Sequence, residues 1–241
     1  MRGAARGNIG TKHESSLHRT LKFHYACGGE TEIERAGYVC DAVGPGGEAV
    51  EIQIGSFGPL RNKIPSLAAE GPVRLIYPVI VQKTIELYDT GGNLISRRKS
   101  PRRGGPWDIF KALLYAPELA ILPGLTIEIA FIDAVESRIA DGLGSWRRKG
   151  ISIADRRIEA WRETLVLAAP ADYRRFIPFQ DGEEFTSKVL AEKARIRRTL
   201  AGKTLYVLQK NGLVKRLRKS GHSWVYAPGR KTPQNPGPPG E

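Results

Sequence analysis

A predicted β-hairpin in residues 38–55, YVCDAVGPGGEAVEIQIG, brings two carboxylates together. Apolar runs flank a Gly-Pro-Gly-Gly turn at residues 44–47, a pattern typical of two antiparallel strands joined by a short loop. If the turn sets Asp41 opposite Glu51, the two side chains share one face of a mostly buried sheet. Opposed like charges destabilise a sheet, so we expect either an added proton or a bound cation to compensate them.

Oxygen atoms are the prominent candidate ligands around this hairpin. Carboxylate oxygens with few histidines nearby suit Mg²⁺ or Mn²⁺ better than zinc. The two cysteines, Cys27 and Cys40, lack the CxxC spacing of a structural zinc site. Two cysteines also provide no disulfide framework, which fits a reducing compartment. We therefore expect a magnesium or manganese ion at Asp41 and Glu51.

The first predicted helix places a third carboxylate in the same part of the chain. Helical spacing begins at Lys12. Leu17, Leu21 and Tyr25 then recur every four residues. Glu14 precedes Leu17 by three positions and therefore lies on the apolar stripe. Two interpretations stay open, namely a carboxylate directed at the site and a solvated glutamate favoured by the dipole at a helix start.

The order of these residues resembles the PD-(D/E)XK nuclease superfamily, which includes many restriction endonucleases and DNA-repair nucleases. Its pattern is a helix bearing Glu, a hairpin strand carrying Asp, and Glu-x-Lys in the next strand. Glu14, Asp41 and Glu51 match that order. The resemblance covers roughly residues 11–90, and the segments HESSLH, YVCDAV and EIQIGSFGPLRNK are similar to an uncharacterised prokaryotic family within the superfamily.

The resemblance implies an α/β fold in which a restriction-endonuclease-like mixed sheet is flanked by helices. It implies that Asp41 and Glu51 ligate the metal and that Ile52 lends its main-chain carbonyl. Glu14 would support the metal or its water shell. The implied activity is the hydrolysis of phosphodiester bonds in DNA, for which a metal polarises phosphate oxygens and acidifies a bound water.

One position departs from the pattern of the superfamily. Gln53 stands where the superfamily usually has a lysine, which orients the attacking water and stabilises charge at the phosphate. Glutamine can orient water but carries no charge, and some active members of the superfamily use it. Lys63 or Arg61, in the predicted helix after the hairpin, could supply the missing positive charge. Simple solvent exposure of these two cations is the alternative.

The C-terminal part of the chain carries a second pattern, in residues 183–228. The spacing predicts a helix, a turn, a second helix and a hairpin, with Thr186 as an N-cap and Gly212 just after the second helix. This segment resembles winged helix-turn-helix DNA-binding domains. The residues that we expect to contact DNA are Arg197, Arg198, Thr199, Lys203 and Tyr206 of the second helix and Lys215, Arg216, Arg218, Lys219 and His222 of the wing. A winged helix used for protein contacts and a solvated basic face are the alternatives.

The charge distribution favours a polyanionic partner. The chain has 38 Lys and Arg residues against 25 Asp and Glu, and residues 176–241 alone hold 13 against 5. Double-stranded DNA is the expected partner, ahead of a membrane surface. Two shorter basic runs, 96–105 and 145–150, either line a phosphate channel or form solvated loops. The longest apolar runs are too short to cross a membrane, and we expect a cytoplasmic protein that could form a homodimer.

The composition and the spacing of apolar residues predict four parts of the chain. They are a flexible leader (1–10), a nuclease-like domain (11–172), a winged helix-turn-helix domain (173–228) and a disordered tail rich in Pro and Gly (229–241). The other predicted elements are strands at 38–43, 48–54, 73–89, 94–100, 126–135 and 162–170, and helices at 56–67, with Ser56 as a cap, and 107–121. Interleaved strands and helices favour a layered α/β fold.

These patterns predict a metal-dependent DNA endonuclease whose winged helix positions duplex DNA. A non-catalytic DNA-binding regulator with a degenerate nuclease fold is the first alternative, and Gln53 keeps it open. A protein-interaction surface within a larger assembly, docked through the winged helix, is the second.

Overall fold

A seven-stranded mixed sheet forms the centre of the protein in the computed structural model, which describes residues 15–229. Its strands are β1 (Thr31–Arg35), β2 (Tyr38–Val43), β3 (Ala49–Ile52), β4 (Val73–Tyr88), β5 (Leu94–Lys99), β6 (Leu125–Ile139) and β7 (Ser152–Leu167). The order across the sheet is β1-β2-β3-β4-β6-β7, and β5 pairs with the last part of β4. Strands β3, β4 and β6 are parallel, and the other neighbours are antiparallel.

Helices cover both faces of this sheet. The α-helices are α1 (Ser16–Ala26), α2 (Lys63–Glu70), α3 (Ile109–Leu113), α4 (Ser187–Lys193) and α5 (Arg198–Lys210). On one face, Leu17 and Leu21 of α1 pack against Val50 and Ile76 of the sheet. On the other face, α2, α3 and α5 share a second apolar cluster with the sheet. The protein is therefore a mixed α/β fold in which a large sheet lies between helical layers.

The C-terminal helices continue into a small sheet of their own. Strands β8 (Phe185–Thr186), β9 (Val214–Ser220) and β10 (Ser223–Pro228) pair in the order β8-β10-β9. This C-terminal module, residues 185–228, packs through α5 against α3 and the 3₁₀ turn at Pro117–Ile121. Leu205 and Leu208 of α5 belong to the same apolar cluster as Phe110 of α3, and the Asn211 side-chain nitrogen donates to the Pro117 carbonyl at 2.8 Å.

Most elements expected from local sequence signals are confirmed. The hairpin of β2 and β3, the long strand β4 and the burial of Leu17, Leu21 and Tyr25 are as predicted. In the C-terminal module, Thr186 accepts a hydrogen bond from Val189 N, as an N-cap does, and Gly212 follows α5 with a φ of 70°.

Several predicted boundaries were wrong. Helix α1 begins at Ser16 rather than Lys12, because Ser15 is extended and caps it. Helix α2 begins after Asn62 rather than Ser56, since a 3₁₀ turn over Gly58–Leu60 precedes it. The helix predicted for 107–121 is split into a short α-helix and 3₁₀ turns, with a proline opening each turn.

Four strands differ from the sequence prediction. Strands β1 and β8 were missed, β6 continues to Ile139 rather than 135, and β7 begins at Ser152 rather than near 162. Three further predictions fall on residues outside the described range. These are the leader 1–10, the position of Glu14 and nearly all of the tail, residues 230–241.

Candidate functional site

Strands β2 and β3 separate just beyond the Ala42–Val50 pair, and the Asp41 side chain fills the opening. The main-chain N–H of Ile52 donates to Asp41 Oδ2 at 2.8 Å, so a carboxylate replaces the usual main-chain acceptor. Strand β3 then continues along β4, where Gln53 N donates to the Ile76 carbonyl at 2.9 Å. We call this opening, with the side chains of Asp41 and Glu51 beside it, the fork.

Helix α1 brings a histidine to the fork. The His18 ring nitrogen Nε2 lies 3.6 Å from Asp41 Oδ2 and 3.2 Å from the carbonyl oxygen of Ile52. Burial favours a higher pKa for Asp41, but hydrogen bonds from His18 and from Ile52 N outweigh it and lower that pKa. The spacing of the histidines in the sequence does not indicate a role for His18 at this site. Its position directly after the buried Leu17 was the only local signal.

Glu51 is the most deeply buried group of the fork, with 6% of its surface exposed. Burial raises its pKa to about 7, and the negative charge of Asp41 adds to the effect. Lys63, the first residue of α2, opposes the shift because its Nζ lies 2.6 Å from Glu51 Oε2. The same ammonium donates to the Val39 carbonyl at 2.7 Å, which holds it between β2 and β3.

Gln53 and Arg61, the two remaining candidate residues, lie differently with respect to the fork. Gln53 lies at the end of β3, where its side-chain nitrogen donates to the Ser56 carbonyl at 2.7 Å and supports the loop that follows. Arg61 does not reach the fork, since its Nε lies 2.5 Å from Glu118 Oε1. Of the two cations proposed to replace the missing lysine, the structure therefore brings only Lys63 to the carboxylates.

The fork offers an incomplete set of metal ligands. Within residues 15–229, no group of three or more His, Cys, Asp or Glu side chains is arranged to hold a metal ion. Mg²⁺ is commonly bound by one or two protein carboxylates, with water and substrate phosphate completing the shell. Asp41, Glu51 and the Ile52 carbonyl are oxygen ligands of the kind that Mg²⁺ takes, and they lack the nitrogen and sulfur ligands of a closed zinc site.

A basic segment runs beside the fork along the edge of β4. Strands β3 and β5 pair with the same edge but leave a gap between them, which residues 100–104 cross. Ser100 N donates to the Lys83 carbonyl at 2.7 Å, and Gly104 N donates to the Ile80 carbonyl at 3.0 Å. These two hydrogen bonds place part of the run 96–105 between the fork and the outer half of the sheet. Arg102 and Arg103 of this segment are exposed.

The candidate DNA-contacting residues lie on the outside of the C-terminal module. All are exposed except Lys203, which is half-buried. Arg198 joins the helix to the hairpin through a 3.5 Å hydrogen bond from Nη2 to Ser223 Oγ. Arg216 and Lys219 lie over the Trp224 ring at 4.2 and 5.2 Å. Arg218 differs from both, because Glu184 accepts two hydrogen bonds from its guanidinium at 2.6 Å each.

Comparison with known proteins gives one family. Residues 15–168 match the family described as Domain of unknown function (DUF8091). The chain belongs to the DUF8091 family. An uncharacterized protein of Treponema pallidum (strain Nichols) is 31% identical over 151 residues, which is 62% of this chain. That stretch is 60% of the relative, so the chain spans about three fifths of its length. No solved structure matches the chain.

The DUF8091 segment contains the whole described fork, from His18 to Lys63. It ends one residue after β7, so the C-terminal module follows it. Glu14 lies one position before the match. Among residues 15–229 no helix is long and apolar enough to cross a membrane.

The outer half of the sheet in the DUF8091 segment carries a network of ion pairs. Glu136 has none of its surface exposed, and its carboxylate accepts hydrogen bonds from Lys83, Arg138 and Arg156. Burial works against ionisation, but these three cations lower the pKa of Glu136 to about 2. Arg97 connects two further carboxylates, Glu86 at 3.2 Å and Glu159 at 3.1 Å. The cations of this network compensate the carboxylates of Glu136 and Glu86, which the outer half of the sheet buries.

Proposed function

We propose that the protein is a metal-dependent DNA endonuclease that hydrolyses phosphodiester bonds at the fork. The observation that carries the proposal is the pairing of Asp41 and Glu51 where the sheet opens, with the pKa of Asp41 lowered and that of Glu51 raised to about 7. Buried neighbouring carboxylates with displaced pKa values occur often at functional sites. The order of a helix followed by a hairpin that carries Asp41 and Glu51 is also the order that the resemblance to PD-(D/E)XK nucleases implies.

The side chains of the fork divide into holding and supporting roles. Asp41, Glu51 and the Ile52 carbonyl would hold Mg²⁺ or Mn²⁺, with Glu14 as a further candidate outside the described residues. A bound metal would polarise a phosphate oxygen and acidify a water there. His18 fixes the orientation of Asp41 through its contacts with Asp41 Oδ2 and the Ile52 carbonyl.

Lys63 and Gln53 would act on the substrate and the water. Lys63 places a positive charge 2.6 Å from Glu51 Oε2, which is the charge that the glutamine at position 53 cannot supply. Because the Gln53 nitrogen is held by Ser56, its carboxamide oxygen is the end that can accept a hydrogen bond from the attacking water. The pair would divide the two tasks of the usual lysine between two residues.

The C-terminal module would position duplex DNA as a winged helix. Its α5 presents Arg198, Gly202 and Tyr206 along one exposed line, and its hairpin adds Arg216 and Lys219. Helix residues of this kind reach base edges while nearby cations contact phosphates. The packing of α5 against α3 would transmit the position of the DNA to the large sheet without a flexible linker.

A non-catalytic DNA-binding protein is the second candidate, and one contact favours it. Lys63 already compensates Glu51, and Ile52 N and His18 already contact Asp41. A fork whose charges are compensated from within the chain has less need of a metal.

Cleavage of supercoiled plasmid tests the first candidate against the second. The wild-type protein is incubated with Mg²⁺, Mn²⁺ or a chelator, beside Asp41→Asn and the matched carboxylate variant Glu118→Gln, whose parent residue pairs with Arg61. We expect nicked or linear DNA only with metal, loss of product in Asp41→Asn, and retention in Glu118→Gln. DNA binding without cleavage under every metal condition would establish the second candidate in its place.

A further inference from the structure

The connection between β6 and β7 ends in two exposed apolar side chains. We call residues 140–151 the arm tip, since they join the end of β6 to the start of β7, two of the three longest strands of the sheet. Leu143 has 85% of its surface exposed and Trp146 has 83%. Among residues 15–229, these two are the most exposed large apolar side chains. Apolar side chains held so far into solvent at one point indicate a contact surface.

The arm tip is internally braced rather than loose. Gly144 N donates to the Gly150 carbonyl at 2.8 Å, and Lys149 N donates to the Trp146 carbonyl at 3.0 Å. Asp141 accepts a hydrogen bond from Leu143 N at 3.0 Å and another from the Ser152 hydroxyl at 2.6 Å. A Cβ at Gly144 would lie 1.8 Å from the Ile151 carbonyl oxygen, so only glycine permits this closure. Leu143 and Trp146 are thus presented by a closed loop.

The charges of the arm tip suit a polyanion. Arg147, Arg148 and Lys149 follow Trp146 directly, and the Arg147 guanidinium lies 5.4 Å from the centre of the Trp146 ring. The acidic residue of the tip, Asp141, is used to close the loop. An apolar pair bordered by the two exposed cations Arg147 and Lys149 matches a base step, which has apolar faces between two phosphates.

The length of β6 sets the distance between the arm tip and the fork. Ile52 pairs with Ile76, which pairs with Glu128 of β6, so the fork lies at the level of Glu128. From Glu128 the strand runs to Ile139, which at about 3.3 Å per residue is at most about 36 Å. That length is close to one turn of B-DNA, about 34 Å. Because β3 and β6 are parallel, the open end of the fork and the arm tip point in the same direction.

We propose that the arm tip is a wedge that inserts Leu143 or Trp146 at a base step of duplex DNA, about one helical turn from the fork. Arg147 and Lys149, which are exposed, hold the phosphates on either side of that step. Arg148 closes the loop through its hydrogen bond to the Ile151 carbonyl, and Arg102 and Arg103 lie along the intervening edge of β4. The inference rests on the DNA binding in the proposed function, but not on cleavage. A membrane surface is the rival partner, and two apolar side chains offer it little buried area.

Site-by-site fluorescence of 2-aminopurine in duplex DNA tests the wedge, because the probe brightens when its base is unstacked. The assay uses the full chain carrying Asp41→Asn, so that no strand is cut, and fluorescence anisotropy reports binding independently. Leu143→Ala with Trp146→Ala removes the wedge. Leu94→Ala with Ile95→Ala is the matched control, since these two side chains are also apolar and exposed on the same extended sheet.

We expect brightening at one step in the bound duplex, lost in the wedge variant and kept in the control. The wedge variant should also bind DNA about tenfold more weakly, in the range for loss of one stacked base. Binding with no brightening at any step would overturn the wedge while leaving DNA binding intact. If the protein does not bind DNA at all, both the wedge and the DNA binding in the proposed function are wrong. Binding to anionic phospholipid vesicles that depends on Leu143 and Trp146, with DNA fluorescence unchanged by the variant, would replace the wedge with a membrane contact.

Discussion

The ammonium of Lys63 lies 2.6 Å from Oε2 of Glu51, yet the pKa of Glu51 remains raised to about 7. Burial and the charge of Asp41 therefore outweigh an ion pair of favourable geometry. Near neutral pH the fork holds a carboxyl group that is easily protonated or deprotonated. A group of this kind can lose its proton when a cation binds beside it, whereas an ordinary surface carboxylate is already ionised at that pH.

The pH dependence of the unfolding free energy of Glu51→Gln tests whether burial and the charge of Asp41 outweigh the ion pair with Lys63. A carboxyl whose folded pKa exceeds its unfolded pKa gives stability that is present below the unfolded value and is lost as pH rises through the folded value. The window here lies between the ordinary value of 4.5 and about 7. The free energy of unfolding of the variant, relative to wild type, should rise across that window by up to roughly 3 kcal/mol. Urea unfolding at a series of pH values measures the difference, and parallel profiles would show that Glu51 is not the titrating group.

Asp41→Asn should lower the pKa of Glu51 from about 7, because it removes the neighbouring negative charge and keeps a similar shape. Carbon-13 NMR titration of the glutamate carboxyl groups measures that pKa directly. Glu118→Gln, which lies outside the fork, should leave it unchanged. An unchanged Glu51 titration in Asp41→Asn would mean that burial alone sets the pKa and that the two carboxylates do not act as a pair.

The sequence predicts those parts of the fork that depend on neighbouring residues, and it misses those that depend on contacts between residues far apart in the chain. The hairpin and its opposed carboxylates follow from a Gly-rich turn and flanking apolar runs, which are local features. The position of His18 depends on how α1 crosses the sheet, and the spacing within the helix does not specify that. Strand β1 was missed because Thr31–Arg35 lacks apolar alternation and contains a residue, Glu32, with a φ of 59°. The partners of Glu136 include Lys83, which is 53 positions away.

The cations of the C-terminal hairpin should differ in their effect on DNA binding. If the hairpin contacts DNA as proposed, Arg216→Ala and Lys219→Ala should each reduce the slope of log affinity against log salt by about one, because each would remove a phosphate contact. Arg218→Ala should change that slope least, since Glu184 holds the Arg218 guanidinium. Anisotropy titrations over a range of salt concentrations separate the three variants. A slope change as large for Arg218→Ala as for the other two would show that DNA displaces Glu184.

Gly202→Ala should separate stability from DNA binding in α5. Gly202 is exposed in the middle of the helix, and a Cβ there would meet nothing within 4 Å. Alanine in place of glycine in a helix interior stabilises by about 0.5–1 kcal/mol, so the thermal midpoint should rise. If DNA approaches the exposed line of Arg198 and Tyr206 closely, the added methyl group should weaken binding. Calorimetry and anisotropy on the same sample give the two results, and an unchanged affinity would place the DNA elsewhere.

Glu136→Gln should destabilise the outer half of the sheet. The carboxylate is fully buried among Lys83, Arg138 and Arg156, and its removal leaves three cations around a neutral amide. A carboxyl with a lowered folded pKa gives stability that is present above the unfolded value of 4.5 and is lost as pH falls towards about 2. The loss in the variant should be about 3 kcal/mol at pH 7 and should shrink steadily below pH 4.5. Guanidinium unfolding at pH 7 and pH 3 measures both values. Glu159→Gln is the exposed control, with little expected change, and an equal loss in the two variants would argue against a special role for the buried cluster.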